Sequence, residues 1–172
     1  MHIRPLHAAD AVACDEIIAS LPYFFGIDAG VRACAEAVRS QRGWVAEVDG
    51  VVRAFLTVDH PLPGAPEITW MASHAGWRRR GLGGSLVERA AAELATDGCR
   101  LLSVLTLAAS VSEDGADTYA GTRDFYRNHG FVDVREILPV GWDEPALLLV
   151  RPLGVAHAEP RDRRASVSAG AG

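Results

Sequence analysis

The sequence predicts an α+β fold, in which about four helices flank a central mixed, mostly antiparallel sheet of six to seven strands. Three observations support this prediction. Strand-like and helix-like patterns alternate along a chain of 172 residues that is 49% hydrophobic. Two β-branched runs meet at Asp49–Gly50, which is the strongest hairpin signal in the chain. Another strand, over residues 67–73, leads through a glycine-rich turn into an amphipathic helix.

The first half of the chain is predicted to hold a short strand, two helices and the hairpin. The alternation in "HIRPL" predicts the strand, and a helix follows Asp10 with Val12, Ile17 and Ile18 facing inward. The second helix is predicted over residues 28–43. The hairpin "GWVAEVDGVVRAFLTVDH" comes next and ends in a proline-rich loop, "PLPGAP".

The second half is predicted to hold two helices and three more strands. An amphipathic helix over residues 84–96 precedes a buried strand, "CRLLSVLTL", and a loop, "AASVSEDGAD". A short helix follows in "TYAGTRDFYRNHG", with Thr122, Phe125, Tyr126 and His129 on one side. The segments "FVDVRE" and "PALLLVRPL" predict the closing strands.

Length and pattern predict one domain over residues 1–153. Residues 154–172 lack apolar periodicity and are predicted to form a disordered tail. An edge strand near the end of the domain could pair with a second copy in a homodimer.

Composition excludes several classes of chemistry. All 17 basic residues are arginine, and the absence of lysine removes Schiff-base chemistry and the lysine of a P-loop. Three widely spaced cysteines, Cys14, Cys34 and Cys99, fit buried reduced thiols. The N-terminus has no basic flank before an apolar run, and no run approaches the length of a membrane span. We therefore expect a cytoplasmic protein with no membrane partner.

The stretch "WRRRGLGGSLVERAAAEL" has the features of an anion site. A glycine-rich turn between a strand and a helix points backbone N–H groups at one place, with the positive end of the helix dipole behind them. Arg78, Arg79 and Arg80 could add charge-assisted bonds to phosphate oxygens. The alternative is a surface turn with a solvated charge run. The spacing fits neither a dinucleotide-binding G-x-G-x-x-G nor a P-loop.

The same stretch matches R/Q-x-x-G-x-G/A at Arg78, Gly81 and Gly83. Here the chain resembles the GNAT superfamily of N-acetyltransferases, over about residues 2–153. The resemblance implies the acyl-CoA-binding GNAT fold, with acetyl-CoA as the acyl donor and no metal. It also implies an acceptor that presents an amine, either a small molecule or a peptide.

The resemblance implies two groups of cofactor-binding residues. Main-chain amides of the turn would hold the coenzyme A diphosphate, and the preceding strand would hold the pantetheine arm. Many relatives also contact the cofactor with an asparagine, seven residues before a tyrosine of a second family motif. This chain has Tyr119 at that position, and Tyr119 is the last of the expected cofactor-binding residues. The residues carried over are Met71, Ala72, Ser73, Arg78, Arg79, Arg80, Gly81, Leu82, Gly83, Gly84, Ser85 and Tyr119.

Two catalytic residues are implied in the same way. Glu67 lies fourteen residues before Gly81, as the general base does in histone acetyltransferases of the superfamily. "FYRNHGF" matches the family's FYxxxGF, whose tyrosine, here Tyr126, protonates the departing sulfur. The amide of Met71 would bond the thioester carbonyl. The alternatives are an exposed strand-edge glutamate and a core tyrosine that bonds backbone.

Other functions remain open on the sequence alone. The six histidines do not fall at metal-ligand spacings, so no metal site is predicted. The fold could bind acyl-CoA as a sensor or interaction module without transferring the acyl group. Nucleic-acid binding through the arginines is disfavoured by a formal net charge of −5. The aromatic residues 23–25 could line an acceptor pocket or fasten a loop to the core.

Overall fold

The computed structural model describes residues 1–22, 28–111, 117–140 and 142–154. The aromatic residues 23–25, residues 112–116 of the predicted loop before the last helix, and the predicted tail from residue 155 lie outside these ranges. Two short 3-10 turns, at Ala8–Asp10 and Ala75–Trp77, supplement the main elements. In chain order the main elements are β1 His2–Pro5, α1 Ala11–Ala19, α2 Asp28–Ser40, β2 Arg42–Val48, β3 Val51–Leu62, β4 Ala65–Ser73, α3 Leu82–Thr96, β5 Leu101–Leu107, α4 Ala120–Asn128, β6 Val132–Ile137 and β7 Ala146–Pro152.

The strands form one sheet in the order β1-β2-β3-β4-β5-β7-β6. Every described pairing is antiparallel except that of β4 with β5, so the predicted mixed, mostly antiparallel sheet is confirmed. The β2–β3 turn also follows the prediction. Asp49 and Gly50 have φ of 52° and 76°, the left-handed pair that a two-residue hairpin turn requires.

The helices cover both faces of the sheet. One core lies between the sheet and α3 with α4, around Trp44, Leu56 and Leu86. The other lies between the sheet and α1 with α2, around Ile17 and Phe55. The strands β2, β3 and β4 contribute apolar side chains to both cores, whereas β5 contributes Leu102 and Val104 to the first core.

Two helices have other bounds than predicted: α2 ends at Ser40 and not at residue 43, and α3 begins at Leu82 and not at Gly84. Two further predictions of the sequence were wrong in detail. Val12 does not face inward but is 68% exposed, because α1 turns Ala11, Cys14, Ile17 and Ile18 toward the sheet. The proline-rich segment is not a loop, because β3 runs to Leu62, which pairs with Ala65 across a tight turn. Both proline and glycine fit that turn, and Gly64 adopts φ of 72°.

The strands β4 and β5 separate part-way along their length. Their described pairing consists of Glu67 with Ser103 and Ile68 with Val104. At the same level, the register of β3 against β4 shifts between Thr57 and Val58, which leaves an extra residue in β4 at Thr69. A bulge of this kind bends its strand, so β4 leaves β5 at the point where the pairing ends.

A chain of three polar side chains holds the bulge. The Thr69 hydroxyl donates to Gln41 Oε1 at 2.5 Å, because the amide oxygen can only accept. Thr69 has one hydrogen, so the Thr57 hydroxyl donates to Thr69 Oγ1 at 2.9 Å. Thr57 is fully buried beneath the bulge. The sheet distortion is thus fixed from the α2 side by groups far apart in sequence.

Removing the Thr57 hydroxyl, the first donor in this series of hydrogen bonds, should destabilise the protein. We expect Thr57→Val to lower the free energy of unfolding by about 1 kcal/mol, because the partly buried Thr69 oxygen loses a donor. The matched control is Thr106→Val, since Thr106 is also buried but its hydroxyl has no hydrogen-bond partner among the described residues. Urea denaturation should show no loss in the free energy of unfolding for Thr106→Val. Equal stability of the two variants would contradict the role given to Thr57.

Candidate functional site

A cleft of about 1870 Å³ opens where β4 and β5 separate, and runs from the start of α3 to α4. Its wall contains nearly all the residues that the sequence analysis selected. Those on the wall are Glu67, Met71, Ala72, Ser73, Arg78, Arg79, Gly81, Leu82, Gly83, Gly84, Ser85, Tyr119 and Tyr126. The fold therefore brings together segments that are up to about sixty residues apart in sequence.

One end of the cleft is formed by the start of α3. The turn before the helix contains two left-handed residues, Arg79 at φ 58° and Gly81 at φ 82°. The first helical hydrogen bond runs from Ser85 N to Gly81 O at 3.0 Å, so the amides of residues 82–84 have no intrahelical acceptor. No described side chain caps the helix, and its first turn carries no carboxylate. These groups form a site suited to an anion.

Arg80 is the one selected residue that does not line the cleft. Its guanidinium lies 4.7 Å from the centre of the Trp77 ring, and the Arg53 guanidinium lies 5.1 Å from the same centre. The three side chains link β3 to the turn before α3 through cation–π contacts. Arg78 and Arg79 are the arginines of the run that border the cleft.

The first turn of α3 packs closely on α4. A Cβ built on Gly83 would lie 3.4 Å from the Phe125 ring, which is an ordinary contact. One built on Gly84 would lie only 2.4 Å from Nε2 of His129, so a side chain there would displace the His129 ring. Gly84 therefore allows this close approach of α4.

Tyr126 occupies the α4 side of the cleft. The residue is 5% exposed, and its ring makes edge contacts with Phe125 and Phe131 at centroid distances of 5.2 Å. No described residue forms a hydrogen bond with the phenol. Burial raises the pKa of Tyr126 above its ordinary value, so the phenol is protonated at neutral pH. A buried phenol without a partner is an available proton donor.

Glu67 lies on the β4 side of the cleft, at the last paired level of β4 and β5. It is partly buried, and its neighbour across the β3–β4 ladder is Asp59. Burial raises the pKa of Glu67, and the negative charge of Asp59 raises it further. A carboxylate with a raised pKa on a cleft wall is suited to accept a proton near neutral pH.

Comparison with known proteins identifies the family. The family model for the acetyltransferase (GNAT) domain matches residues 39–133, from the last turn of α2 to the start of β6. The chain belongs to the GNAT acetyltransferase family. The matched range includes β4, α3 and α4, which together form most of the cleft wall.

Solved structures share the fold of this GNAT chain. A protein described as a GNAT-family acetyltransferase, from Desulfovibrio desulfuricans, superposes with a TM-score of 0.75 at 19% identity, over 89% of this chain and 99% of its own. The ribosomal-protein-S18-alanine N-acetyltransferase of Escherichia coli superposes with a TM-score of 0.68 at 17% identity, over 92% of this chain and 97% of its own. An aminoglycoside 6′-N-acetyltransferase complexed with coenzyme A superposes with a TM-score of 0.66 at 18% identity, over 89% of this chain and 97% of its own. A comparison with curated protein sequences gives no significant match.

The sequence analysis placed Thr122, Phe125, Tyr126 and His129 on one side of the last helix, and all four line the cleft. It missed a buried arginine next to them. Arg123 is 2% exposed, and its Nη1 donates to the carbonyl of Leu107 at 2.8 Å. Its other nitrogen forms an ion pair with Asp117, whose pKa this contact lowers. The Asp117 carboxylate also accepts from the amides of Tyr119 and Ala120, at the start of α4. Arg123 thus ties the start of α4 in this GNAT domain to the end of β5.

The remaining reactive groups are not arranged for catalysis. The three cysteines are buried and free, as predicted, and burial raises the pKa of Cys14 and Cys34 to about 12. The described residues contain no group of three potential metal ligands. Among the helices described, none is both long and apolar enough to cross a membrane.

Proposed function

We propose that the protein transfers an acetyl group from acetyl-CoA to an amine of a small molecule or peptide. One observation carries this proposal: a single cleft joins the uncapped start of α3 to the phenol of Tyr126, through the gap between β4 and β5. This phenol has no hydrogen-bond partner among the described residues. The backbone amides at the start of α3 suit a diphosphate, and the phenol of Tyr126 can donate a proton to a departing thiolate. The family and the names of similar structures, which include two N-acetyltransferases, support it.

The chain has groups that fit each part of the donor. The amides of residues 82–84, together with Arg78 and Arg79, would hold the diphosphate. Beyond Ile68, β4 stays paired with β3 but has no β5 partner among the described residues. The backbone polar groups on its β5 side are therefore available to a pantetheine arm lying along residues 71–73. Tyr119 lines the same part of the cleft.

The proposed reaction is a direct attack with no enzyme-bound intermediate. Glu67, directly or through a water molecule, takes a proton from the acceptor ammonium, and the free amine attacks the thioester carbonyl. The Met71 amide stabilises the oxyanion while the C–N bond forms. The C–S bond then breaks, and Tyr126 gives its proton to the sulfur. The products are an amide and free coenzyme A.

The acceptor side of the cleft is lined by a different part of the fold. Small residues of α2, Ala29, Gly30 and Ala33, border it together with Trp70. The amine would enter from this side, because Glu67 and Trp70 lie on β4 at the edge of the gap. The single positive charge of an ammonium group fits the carboxylate of Glu67.

A thiol-release assay tests this proposal. The protein is incubated with acetyl-CoA and a panel of amines, including aminoglycosides, polyamines, amino acids and peptides with a free N-terminus. We expect release of free thiol that depends on both the amine and the protein, with a matching acetylated product by mass spectrometry. Binding of acetyl-CoA without product from any amine would favour a sensor or interaction module. No binding of acetyl-CoA would contradict the proposal.

A further inference from the structure

Building on the proposed function, we infer that His129 is a further cofactor-binding residue, whose protonated ring donates from Nε2 to the diphosphate of the acyl donor. The affinity for the donor would then depend on the protonation of this side chain. The same cleft is involved, but the contact comes from the end of α4 and not from the glycine-rich turn.

The hydrogen bonds of His129 fix which ring nitrogen is available. Nδ1 lies 2.8 Å from the main-chain oxygen of Phe125, and the two rings pack with centroids 4.4 Å apart. A carbonyl oxygen can only accept, so Nδ1 carries a hydrogen in either charge state. In the neutral ring Nε2 therefore bears the lone pair. Protonation converts Nε2 into a cationic donor without moving the ring.

The position of Nε2 places it beside the proposed diphosphate site. It fills the space next to Gly84 that a side chain would otherwise occupy, since a Cβ there would lie 2.4 Å from it. Gly84 is in the first turn of α3, whose amides have no intrahelical acceptor. Both residues line the cleft. An anion held by this turn therefore has Nε2 as a neighbour.

Several charged groups lie on the elements around His129. They are Glu88 on α3, which interacts electrostatically with His129, Arg151 on β7, Arg78 and Arg79 in the turn, and Asp124 and Arg127 on α4. Arg151 binds both oxygens of Glu88, at 2.7 and 2.8 Å, and this holds the pKa of Glu88 below its usual range. Arg127 pairs with Asp124 and Asp133 outside the cleft. These ion pairs lower the pKa values of Glu88 and Asp133, so both carboxylates keep their charge near neutral pH.

The sign of the pH dependence follows from linkage. An anion binds the charged ring more tightly than the neutral ring, so complex formation takes up protons at intermediate pH. Histidine side chains lose their charge between about pH 5 and pH 8. The affinity for the donor should therefore fall as the pH rises through this range. Below and above it, the affinity should be constant.

Isothermal titration calorimetry with dephospho-coenzyme A tests the inference. This ligand keeps the diphosphate but lacks the 3′-phosphate, which would itself titrate near neutrality. Between about pH 6 and about pH 8 we expect Kd to rise about fivefold to tenfold. Titrations in two buffers of different ionisation enthalpy should show proton uptake. A constant Kd together with no proton uptake would overturn the role of His129.

Two variants assign the effect to this side chain. In His129→Asn, the amide nitrogen can keep the bond to Phe125 but nothing replaces Nε2, so Kd should be pH-independent and close to the high-pH value of the unaltered protein. His60→Gln changes an exposed histidine at the end of β3 and should keep the normal pH dependence. A pH dependence that survives in His129→Asn would overturn the inference. If His129→Asn does not fold, the proton uptake of the unaltered protein decides.

The same titrations separate this inference from the proposed function. A protein that binds neither acetyl-CoA nor dephospho-coenzyme A at any pH contradicts the proposed function. A protein that binds both with the same affinity across the pH range, and releases thiol with an amine, supports the function and contradicts only the role of His129.

Discussion

Replacing Tyr126 with phenylalanine is expected to lower turnover about a hundredfold to thousandfold while leaving the affinity for acetyl-CoA nearly unchanged. The phenol has no described hydrogen-bond partner, so its removal breaks no contact in the free protein. The aromatic ring and its edge contacts with Phe125 and Phe131 remain. The loss should therefore fall on the step in which the sulfur leaves, because the thiolate then has no proton donor.

Steady-state kinetics and donor binding together test this expectation. The kcat of Tyr126→Phe should fall, whereas the Kd for acetyl-CoA from calorimetry should change less than about twofold. The free energy of unfolding should not fall, because removing the hydroxyl breaks no hydrogen bond with a described residue. An unchanged kcat would remove the acid role. An unchanged kcat with a weakened Kd would instead indicate a binding role.

The pH profile gives a second check on the same residue. A general acid acts in its protonated form, and burial raises the pKa of Tyr126 above the ordinary tyrosine value near 10. Titration of this phenol therefore cannot cause a loss of activity on the alkaline side below about pH 10. An alkaline limb at lower pH that disappears in Tyr126→Phe would contradict the burial argument.

Local sequence chemistry predicted the parts of the fold that depend on neighbouring residues. The Asp49–Gly50 turn adopts the left-handed pair that its residue types allow at low cost. The glycine-rich turn before α3 also lies where predicted, although the helix begins at Leu82 rather than at Gly84. Gly81, with φ of 82°, supplies the change in chain direction, so the following glycines are already helical.

Features that depend on distant partners could not be predicted. The sequence of α1 is apolar at most positions, so the buried face is chosen by α2 and the sheet, and Val12 is left exposed. The sequence analysis assigned no role to Arg123. Its burial depends on the carbonyl of Leu107 and the carboxylate of Asp117, neither of which periodicity identifies.

The sequence motifs predicted which residues belong to the candidate site, but they did not predict its geometry. The family patterns selected Glu67 and Tyr126, and both line the cleft. The cleft itself exists because β4 carries a bulge at Thr69 and leaves β5 beyond Ile68. The groups that hold this bulge, Gln41 and Thr57, belong to elements that no local pattern connects with the site. His129 was assigned to an inward face, but its contact with Gly84 required the packing of two helices.

Replacing Glu67 with glutamine is expected to lower kcat/KM about a hundredfold and to remove the acid limb of its pH profile. The proposed base acts as a carboxylate, so activity should be lost as the pH falls through its pKa. Burial and the charge of Asp59 raise that pKa, so the limb should lie above the ordinary range for glutamate, near 4.3. Glutamine has a similar shape and cannot accept the proton.

Asp59→Asn provides the matched control for Glu67. Asp59 is exposed and faces Glu67 across the β3–β4 ladder, so its neutralisation removes a like charge and little packing. The pKa of Glu67 should then fall, and the acid limb should move to lower pH with kcat at high pH retained. All variants are assayed with one acceptor, so the ionisation of the amine is common to every profile. An acid limb that persists in Glu67→Gln, or does not move in Asp59→Asn, would mean that another group or the solvent takes the proton.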